Sequence, residues 1–191
     1  MCNLYTQSKS IDEIAALFRD AQIPLTFSEG IPNLQPRDIR ITENGPIVRA
    51  AAGGHELVVR RWSWPGTHGK PVYNFRSDGR EFESGRCLIV ADGFYEFTKP
   101  EDPKQKRKDR WLFNWTEGGM VGIAGLTRTV PDLGEAFTML TTEPGPDISP
   151  YHERQVAIIP PAEWRDWLDY RRPARELLKV LPAGTLSVCP A

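Results

Sequence analysis

The sequence predicts an α+β fold with a mainly antiparallel β core, and three observations lead to this expectation. Short β-type runs fill the middle of the chain, Gly and Pro separate them at hairpin-like spacing, and helical patterns occur only near the two ends. The 191 residues suffice for one domain with a sizeable core, and neither a repeat nor a low-complexity linker divides them. We therefore expect a single domain over residues 1–191.

The helices are predicted from their start signals. Ser10 and Glu13 form a capping box, and apolar residues then recur at helical spacing. Near the other end, Pro173 stands at a favourable first position of a helix. The predicted helices cover residues 11–20, 162–169 and 173–180.

The strands are predicted from short runs of β-branched and aromatic residues bounded by Gly and Pro. Residues 27–36 carry one Gly and two Pro and are predicted to form an ordered loop. The predicted strands cover residues 56–62, 86–91, 110–115, 120–126 and 136–141.

Composition excludes several functional classes. The formal net charge is −1 and the pI about 6.3, which argues against binding to nucleic acid by bulk positive charge. The apolar runs are too short to span a bilayer, and the N-terminus lacks a signal-peptide pattern. The three cysteines have no metal-ligand spacing, so we expect free thiols, no metal, no cofactor and a cytoplasmic location.

Cys2 is the first candidate for chemistry. Removal of Met1 leaves an α-amine and a thiol on adjacent carbons, and this pair condenses with an aldehyde to form a five-membered thiazolidine. The amine titrates at about 7.7–8.0 and the thiol at about 8.5, so both are partly nucleophilic near neutral pH. The alternative is that a cysteine stands at position 2 by chance.

Glu96 is the second candidate, in the run Asp92-Gly93-Phe94-Tyr95-Glu96-Phe97 that follows an apolar strand. A glutamate between aromatic residues is desolvated if it faces inward, which raises its pKa toward that of a general base. If the strand instead alternates in the usual way, Glu96 faces the solvent.

His152 is the third candidate because it lies between a Pro-rich loop and an apolar strand, where functional sites often occur. The alternative is a histidine satisfied by the backbone. His55 and His68 lie beside glycines and are interpreted as solvated turn residues.

Asn74 and Arg76 lie on one side of the chain if residues 73–77 are extended. An amide and a guanidinium suit a phosphate, a carbonyl or a developing oxyanion, and ordinary loop hydrogen bonding is the alternative. Two basic clusters, residues 104–110 and 171–175, are interpreted as solvated, the first of them as a hairpin tip.

Five segments in this order resemble the SRAP family (SOS response-associated peptidase, also called abasic site processing proteins). The resemblance spans nearly the whole chain and implies a single α+β domain with a β-barrel-like core. The matching segments are Met1-Cys2-Asn3-Leu4-Tyr5, Asn74-Phe75-Arg76, the block from Arg86-Cys87-Leu88 to Phe94-Tyr95-Glu96, Leu140-Thr141-Thr142-Glu143-Pro144 and His152-Glu153-Arg154.

The resemblance also implies covalent capture of abasic sites in single-stranded DNA as a thiazolidine. In that reading Cys2 is the nucleophile and Glu96 orients or deprotonates its amine and thiol. Asn74 holds the N-terminus or the sugar oxygen, and His152 shuttles protons to the opened sugar.

The DNA contacts implied by the resemblance are made by two arginines and one polar residue. Arg76 and Arg154 match phosphate-contacting arginines, and Thr141 matches a residue that lines the site. Neighbouring bases are expected to stack on Trp62 or Trp64.

Three departures from the family pattern concern DNA binding more than the covalent step. Leu4 stands where many members have a basic residue, and Gln155-Val156 replaces a common Met-Pro or Arg-Pro after the arginine. The stretch of residues 66–69 lacks aromatic residues that some members use to open DNA.

Two other functional classes remain open. An N-terminal cysteine with a nearby acid and histidine also suits amide hydrolysis, including self-removal of Met1. A non-catalytic single-strand binding module would use the same basic and aromatic residues. The expected partner is single-stranded DNA with abasic sites, with replication-fork proteins as further candidates, no membrane, and a monomeric chain.

Overall fold

The computed structural model describes residues 2–102 and 104–191. Two 3₁₀ turns, Thr67–Gly69 and Pro161–Glu163, accompany the regular elements. The helices are α1 (Ile11–Asp20), α2 (Trp164–Leu168) and α3 (Ala174–Leu177). The strands are β1 (Leu4–Gln7), β2 (Leu25–Thr26), β3 (Arg37–Arg40), β4 (Asn44–Ala51), β5 (Gly54–Trp62), β6 (Trp64–Pro65), β7 (Pro71–Val72), β8 (Asn74–Arg76), β9 (Arg86–Ala91), β10 (Gly93–Thr98), β11 (Asp109–Trp115), β12 (Val121–Val130), β13 (Gly134–Thr142), β14 (Gln155–Val156) and β15 (Leu186–Pro190).

The larger strands form a closed ring. The order β13-β12-β9-β4-β5 consists of antiparallel neighbours, and β5 pairs in parallel with β13, with Phe137 opposite Trp62. This pairing closes a five-stranded barrel and removes its free edges. The fold is therefore α+β with a barrel core, as the sequence predicts.

A second, five-stranded sheet has the order β15-β11-β10-β1-β3 and is antiparallel throughout. It contains both the N-terminal strand β1 and the strand β10 that carries Glu96. In β1, Tyr5 lies opposite Phe94 and Thr6 opposite Gly93. This register brings the start of the chain next to Glu96.

Apolar side chains fill the space on both faces of the central strands. In β9, Cys87 and Ile89 contribute to one buried cluster, which also holds Phe94 and Phe113 of the five-stranded sheet. Leu88 and Val90 point to the opposite face of the sheet, into a second buried cluster that the three helices cover. Strands buried on both faces explain the continuous apolar run 87–91.

The prediction of a helix over residues 11–20 is confirmed, because α1 begins and ends at these residues. Ser10 and Glu13 form the capping box, and Ile14 and Phe18 are its buried residues. The other two helices are shorter than predicted, because Pro161–Glu163 is a 3₁₀ turn and α3 ends at Leu177.

The five predicted strands are all present, with ends shifted by up to four residues, and residues 27–36 contain neither helix nor strand. Strands β3, β4 and β15 were not predicted, because Gly, Pro or charged residues weaken their pattern, and neither was β1, which has only four residues. Within residues 2–102 and 104–191, no helix has the length and apolar character needed to cross a membrane.

Candidate active site

Cys2 lies at the start of β1, beside Glu96 of β10. The carboxylate of Glu96 accepts a hydrogen bond from the backbone nitrogen of Cys2. This nitrogen is the atom that becomes the α-amine if Met1 is removed, and Met1 itself lies outside the described residues. The antiparallel pairing of β1 with β10 therefore places the Cys2 nitrogen next to the Glu96 carboxyl group.

The Cys2 thiol is almost completely enclosed. It is 1% exposed, and its sulfur donates a hydrogen bond to the carbonyl of Leu4 at 3.2 Å. Burial, and next the negative charge of Glu96, raise its pKa to about 12. The thiol is therefore protonated at neutral pH, and a reaction at sulfur requires a base to accept the proton.

Glu96 is buried rather than facing the solvent, and it is 1% exposed. Burial raises its pKa, while hydrogen bonds from the backbone of Cys2 and Phe97 lower it, and the net direction is upward. The solvent-facing alternative for Glu96 is therefore wrong. A carboxyl with a raised pKa beside a thiol, and beside the nitrogen that becomes an amine if Met1 is removed, suits proton transfer near neutral pH.

Asn74 fixes the backbone of Cys2 from the other side. Strand β8 runs parallel to β13, with Asn74 opposite Met139, and its extended form puts Asn74 and Arg76 on one face. The Asn74 side-chain nitrogen donates to the Cys2 carbonyl oxygen at 2.7 Å. Cys2 is thus held at its nitrogen by Glu96 and at its carbonyl by Asn74.

His152 lies in the loop between β13 and β14. Its Nδ1 accepts a hydrogen bond from the backbone N–H of Arg154 at 3.0 Å, so the hydrogen of the neutral ring is on Nε2. Burial is the main cause that lowers the pKa of His152. The ring is therefore mostly neutral at neutral pH and suits proton exchange.

Arg154, Thr141 and Arg76 lie together at one end of β13. Arg76 is exposed and lies opposite Thr141 in the β8–β13 register. Arg154 donates to the Thr141 carbonyl at 2.9 Å and makes a bidentate pair with Asp78 at 2.7 and 3.1 Å. Because Asp78 already neutralises Arg154, a phosphate at this position would have to compete with that carboxylate.

Trp62 is a core residue, which corrects its prediction as a base-stacking residue. It is 0% exposed, its indole N–H donates to the Tyr73 carbonyl at 2.9 Å, and its ring packs edge-on against Tyr5. No face of Trp62 is available to a nucleobase. Trp64 is also buried, with 8% of its surface exposed, in the short pair of β6 with β7.

His55 is not a solvated turn residue. It is buried, and its Nε2 lies 2.7 Å from the Asp169 carboxylate just beyond α2. This contact joins β5 to the end of α2, so its function is structural. His68 is exposed, as expected.

Of the residues that depart from the family pattern, Leu4, Gln155 and Val156 are buried, whereas residues 66–69 are half-buried or exposed. Leu4 is 7% exposed and provides the carbonyl that accepts from the Cys2 thiol. Gln155 accepts a hydrogen bond from the backbone of Gly145 and forms β14 with Val156. Gln155 therefore holds the start of the loop that carries His152.

Asp92 is a supporting residue whose role the sequence pattern did not predict. Its carboxylate accepts hydrogen bonds from the backbone and hydroxyl of Ser8 and from the backbone and ammonium group of Lys9. These bonds tie the end of β1 to the start of β10. The available signal was its position in the Asp92-Gly93-Phe94-Tyr95-Glu96 segment.

Among the described residues, no group of three or more His, Cys, Asp and Glu side chains is arranged to hold a metal ion.

Solved structures share this fold over the whole chain. A protein from Bordetella bronchiseptica matches with a TM-score of 0.75 and 23% identity, covering 100% of this chain and 99% of that one. A protein from Bacteroides thetaiotaomicron matches with a TM-score of 0.73 and 18% identity, covering 99% of this chain and 91% of that one. These similarities concern the fold.

Two curated relatives are named abasic site processing protein HMCES. The protein from Xenopus tropicalis is 27% identical over 120 residues, and the one from Gallus gallus is 28% identical over 129 residues. The matches cover 52% and 55% of this chain but only 36% and 38% of those proteins. The sequence profile described as SOS response associated peptidase (SRAP) matches residues 1–190, and the chain therefore belongs to the SRAP family.

Proposed function

We propose that this chain captures ring-opened abasic sites in single-stranded DNA as a thiazolidine with Cys2, once Met1 is removed. The observation that carries the proposal is the hydrogen bond between the Cys2 backbone nitrogen and the buried Glu96 carboxylate. An N-terminal amine at this position has an acid–base group in contact with it. The name of the curated relatives supports the choice of substrate.

The first step joins the amine to the aldehyde. An abasic deoxyribose is partly open and presents a C1′ aldehyde. The Cys2 amine adds to C1′, and water leaves as the imine forms. Glu96 accepts the proton that nitrogen releases, and the neutral ring of His152 exchanges protons with the sugar oxygens.

The second step closes the ring. The Cys2 sulfur adds to C1′ of the imine while its proton is transferred through Glu96 to the nitrogen. The raised pKa of the thiol means that this proton stays on sulfur until the base removes it. The product is a five-membered thiazolidine, and the net change is the loss of one water molecule.

Asn74 supports both steps by position. Its bond to the Cys2 carbonyl restricts rotation of the residue whose amine and thiol must reach the same carbon. Arg76 lies on the same face of β8 and is exposed, so it is the first candidate for a phosphate contact.

The test is intact mass spectrometry after incubation with uracil-excised single-stranded DNA. The expected product has the mass of the Met1-free protein plus the oligonucleotide minus one water. Cys2→Ala and a form with a non-removable residue before Cys2 are expected to give no heat-stable adduct. Full crosslinking by either form would refute the thiazolidine.

The family description also names a peptidase, so the same samples discriminate hydrolysis. Hydrolysis of an amide with the Cys2 sulfur as nucleophile requires the thiol but not the free α-amine. Peptide cleavage that persists when the amine is blocked, without any DNA adduct, would favour the hydrolase.

A further inference from the structure

The hairpin of β10 and β11 carries an aromatic side chain directly across from Glu96. In the antiparallel register Trp111 lies opposite Glu96, so both side chains project from the same face of the sheet. The Trp111 indole nitrogen donates to the Thr98 hydroxyl at 2.9 Å, which fixes the ring orientation. Trp111 is half-buried.

A second aromatic residue reaches the same place from the His152 loop. Tyr151 directly precedes His152, and its ring centroid lies 5.0 Å from Trp111 and 5.3 Å from Phe113. The Trp111–Tyr151 pair therefore connects β11, which pairs with the strand that carries Glu96, with the loop that carries His152. The proposed reaction does not itself use this pair.

An open cleft of about 860 Å³ begins at the pair, and both rings line it. Three basic side chains and three acidic ones complete its charged lining, and these are Lys99, Lys108, Arg110, Glu101, Asp102 and Asp109. The cleft is within the size range of small-molecule sites.

The cleft is electrostatically connected with the reaction site. Burial is the main cause of the lowered pKa of His152, and the positive charge of Lys108 lowers it further. Lys108 and Arg110 are both exposed, but the Arg110 guanidinium already lies over the Tyr95 ring at 5.0 Å. Of the three cations in the cleft lining, Lys108 is the one whose charge acts on His152, so it is the candidate for a phosphate near that ring.

We propose that this cleft is a subsite for the nucleotide that flanks the abasic sugar. The base stacks on the Trp111–Tyr151 pair and the adjoining phosphate pairs with Lys108. The carboxylates of the cleft accept hydrogen bonds from exocyclic amino groups of the base. The proposal rests on the proposed function for the identity of its ligand, but it concerns non-covalent binding.

A nucleotide fits these residues better than a simple anion does. An anion site would not require an aromatic platform, and the acidic side chains would oppose it. Stacking on aromatic rings together with a cation for the backbone is the usual way to hold single-stranded nucleic acid.

The test measures equilibrium binding by fluorescence anisotropy with single-stranded oligonucleotides that carry a tetrahydrofuran abasic analogue. The analogue has no aldehyde, so only non-covalent affinity is measured. The oligonucleotide is shortened one nucleotide at a time on each side of the analogue. Loss of one flanking base should weaken binding by about five- to 150-fold, the range for one stacked base.

Tyr151→Ala should weaken binding of the long oligonucleotide by a similar factor but leave the shortened one nearly unaffected. This non-additivity identifies a contact with that base, which a loss of folding would not produce. Tyr151→Phe should retain the affinity because it keeps the ring. Lys108→Ala should reduce the dependence of affinity on salt, whereas Lys106→Ala, an exposed lysine outside the cleft lining, should not.

Equal losses for long and short oligonucleotides with Tyr151→Ala would overturn the subsite. The proposed function is tested separately, by thiazolidine formation between the wild-type protein and a small aliphatic aldehyde. If the wild type forms that product but the effects of Tyr151→Ala and of shortening the oligonucleotide on binding are additive, only the subsite is wrong. If these two effects are non-additive but no thiazolidine forms, the subsite is confirmed and the covalent reaction is wrong.

Discussion

Replacing Asn74 by alanine tests whether the Cys2 backbone must be held for the covalent reaction. The structure offers a matched control in Asn114, whose side-chain nitrogen donates to the Asp92 carbonyl at 3.0 Å. The Asn74 bond to the Cys2 carbonyl is 2.7 Å, and both asparagines are half-buried. The two substitutions therefore remove the same kind of bond in two places.

The magnitude follows from the loss of one such bond. A buried carbonyl that loses its donor costs about 1–3 kcal/mol, so both variants should unfold more easily by that amount. If the Asn74 bond also maintains the reactive geometry of Cys2, the same free energy corresponds to a rate about five- to 150-fold lower. Asn114→Ala should keep the wild-type rate.

The assay combines chemical denaturation with time courses of adduct formation on abasic single-stranded DNA. Folding of both variants is checked by circular dichroism before the rates are compared. A wild-type rate for Asn74→Ala would show that the bond does not position the nucleophile. An equal loss in Asn114→Ala would show that the slower reaction reflects general destabilisation.

Three further outcomes are expected. Glu96→Gln should slow adduct formation by about 10²–10⁴-fold at neutral pH, with a deficit that shrinks as rising pH lets solvent deprotonate the nucleophiles, measured in rate–pH profiles. Burial raises the pKa of Asp92, but the hydrogen bonds from Lys9 and Ser8 outweigh burial, so the pKa is lowered overall. The stability that this carboxylate contributes is therefore fully present above its unfolded pKa of about 3.9. It is lost as the pH falls through the lower pKa of the folded state. Asp92→Asn should thus lower the free energy of unfolding by about 1–3 kcal/mol at pH 7 and by much less in acid, measured by denaturation at several pH values. In the native wild type, iodoacetamide should modify the exposed Cys189 long before Cys2 and Cys87, whose pKa values are raised by burial, as checked by peptide mapping.

Local patterns were sufficient for elements whose signals are contained in a few neighbouring residues. The capping box of Ser10 and Glu13 set the start of α1 because both partners lie within one turn. The two-sided burial of β9 followed from its unbroken apolar run. Strand β1 gave no comparable signal, since its four residues alternate weakly and its partners are about 90 and 35 residues away.

Tryptophan and histidine show where residue type alone was misleading. Trp62 and His55 are amphipathic side chains that occur both in cores and in binding sites. Trp62 became a core residue because β5 pairs with β13 at this position and Tyr73 accepts its indole N–H. His55 is buried because Asp169, 114 positions further along the chain, approaches its ring.

The sequence by itself determined the α+β class and the first helix, because these depend on local patterns. It also predicted a single domain and the candidate site residues at positions 2, 74, 96 and 152, from motifs carried in order along the chain. Only the tertiary structure decided that Glu96 faces inward against the Cys2 nitrogen and that Asn74 holds the Cys2 carbonyl. It also decided that Trp111, opposite Glu96, packs against Tyr151. The physical reason is that burial, and with it the direction of each pKa shift, depends on strand pairing between segments far apart in sequence, and no local pattern specifies the register of that pairing.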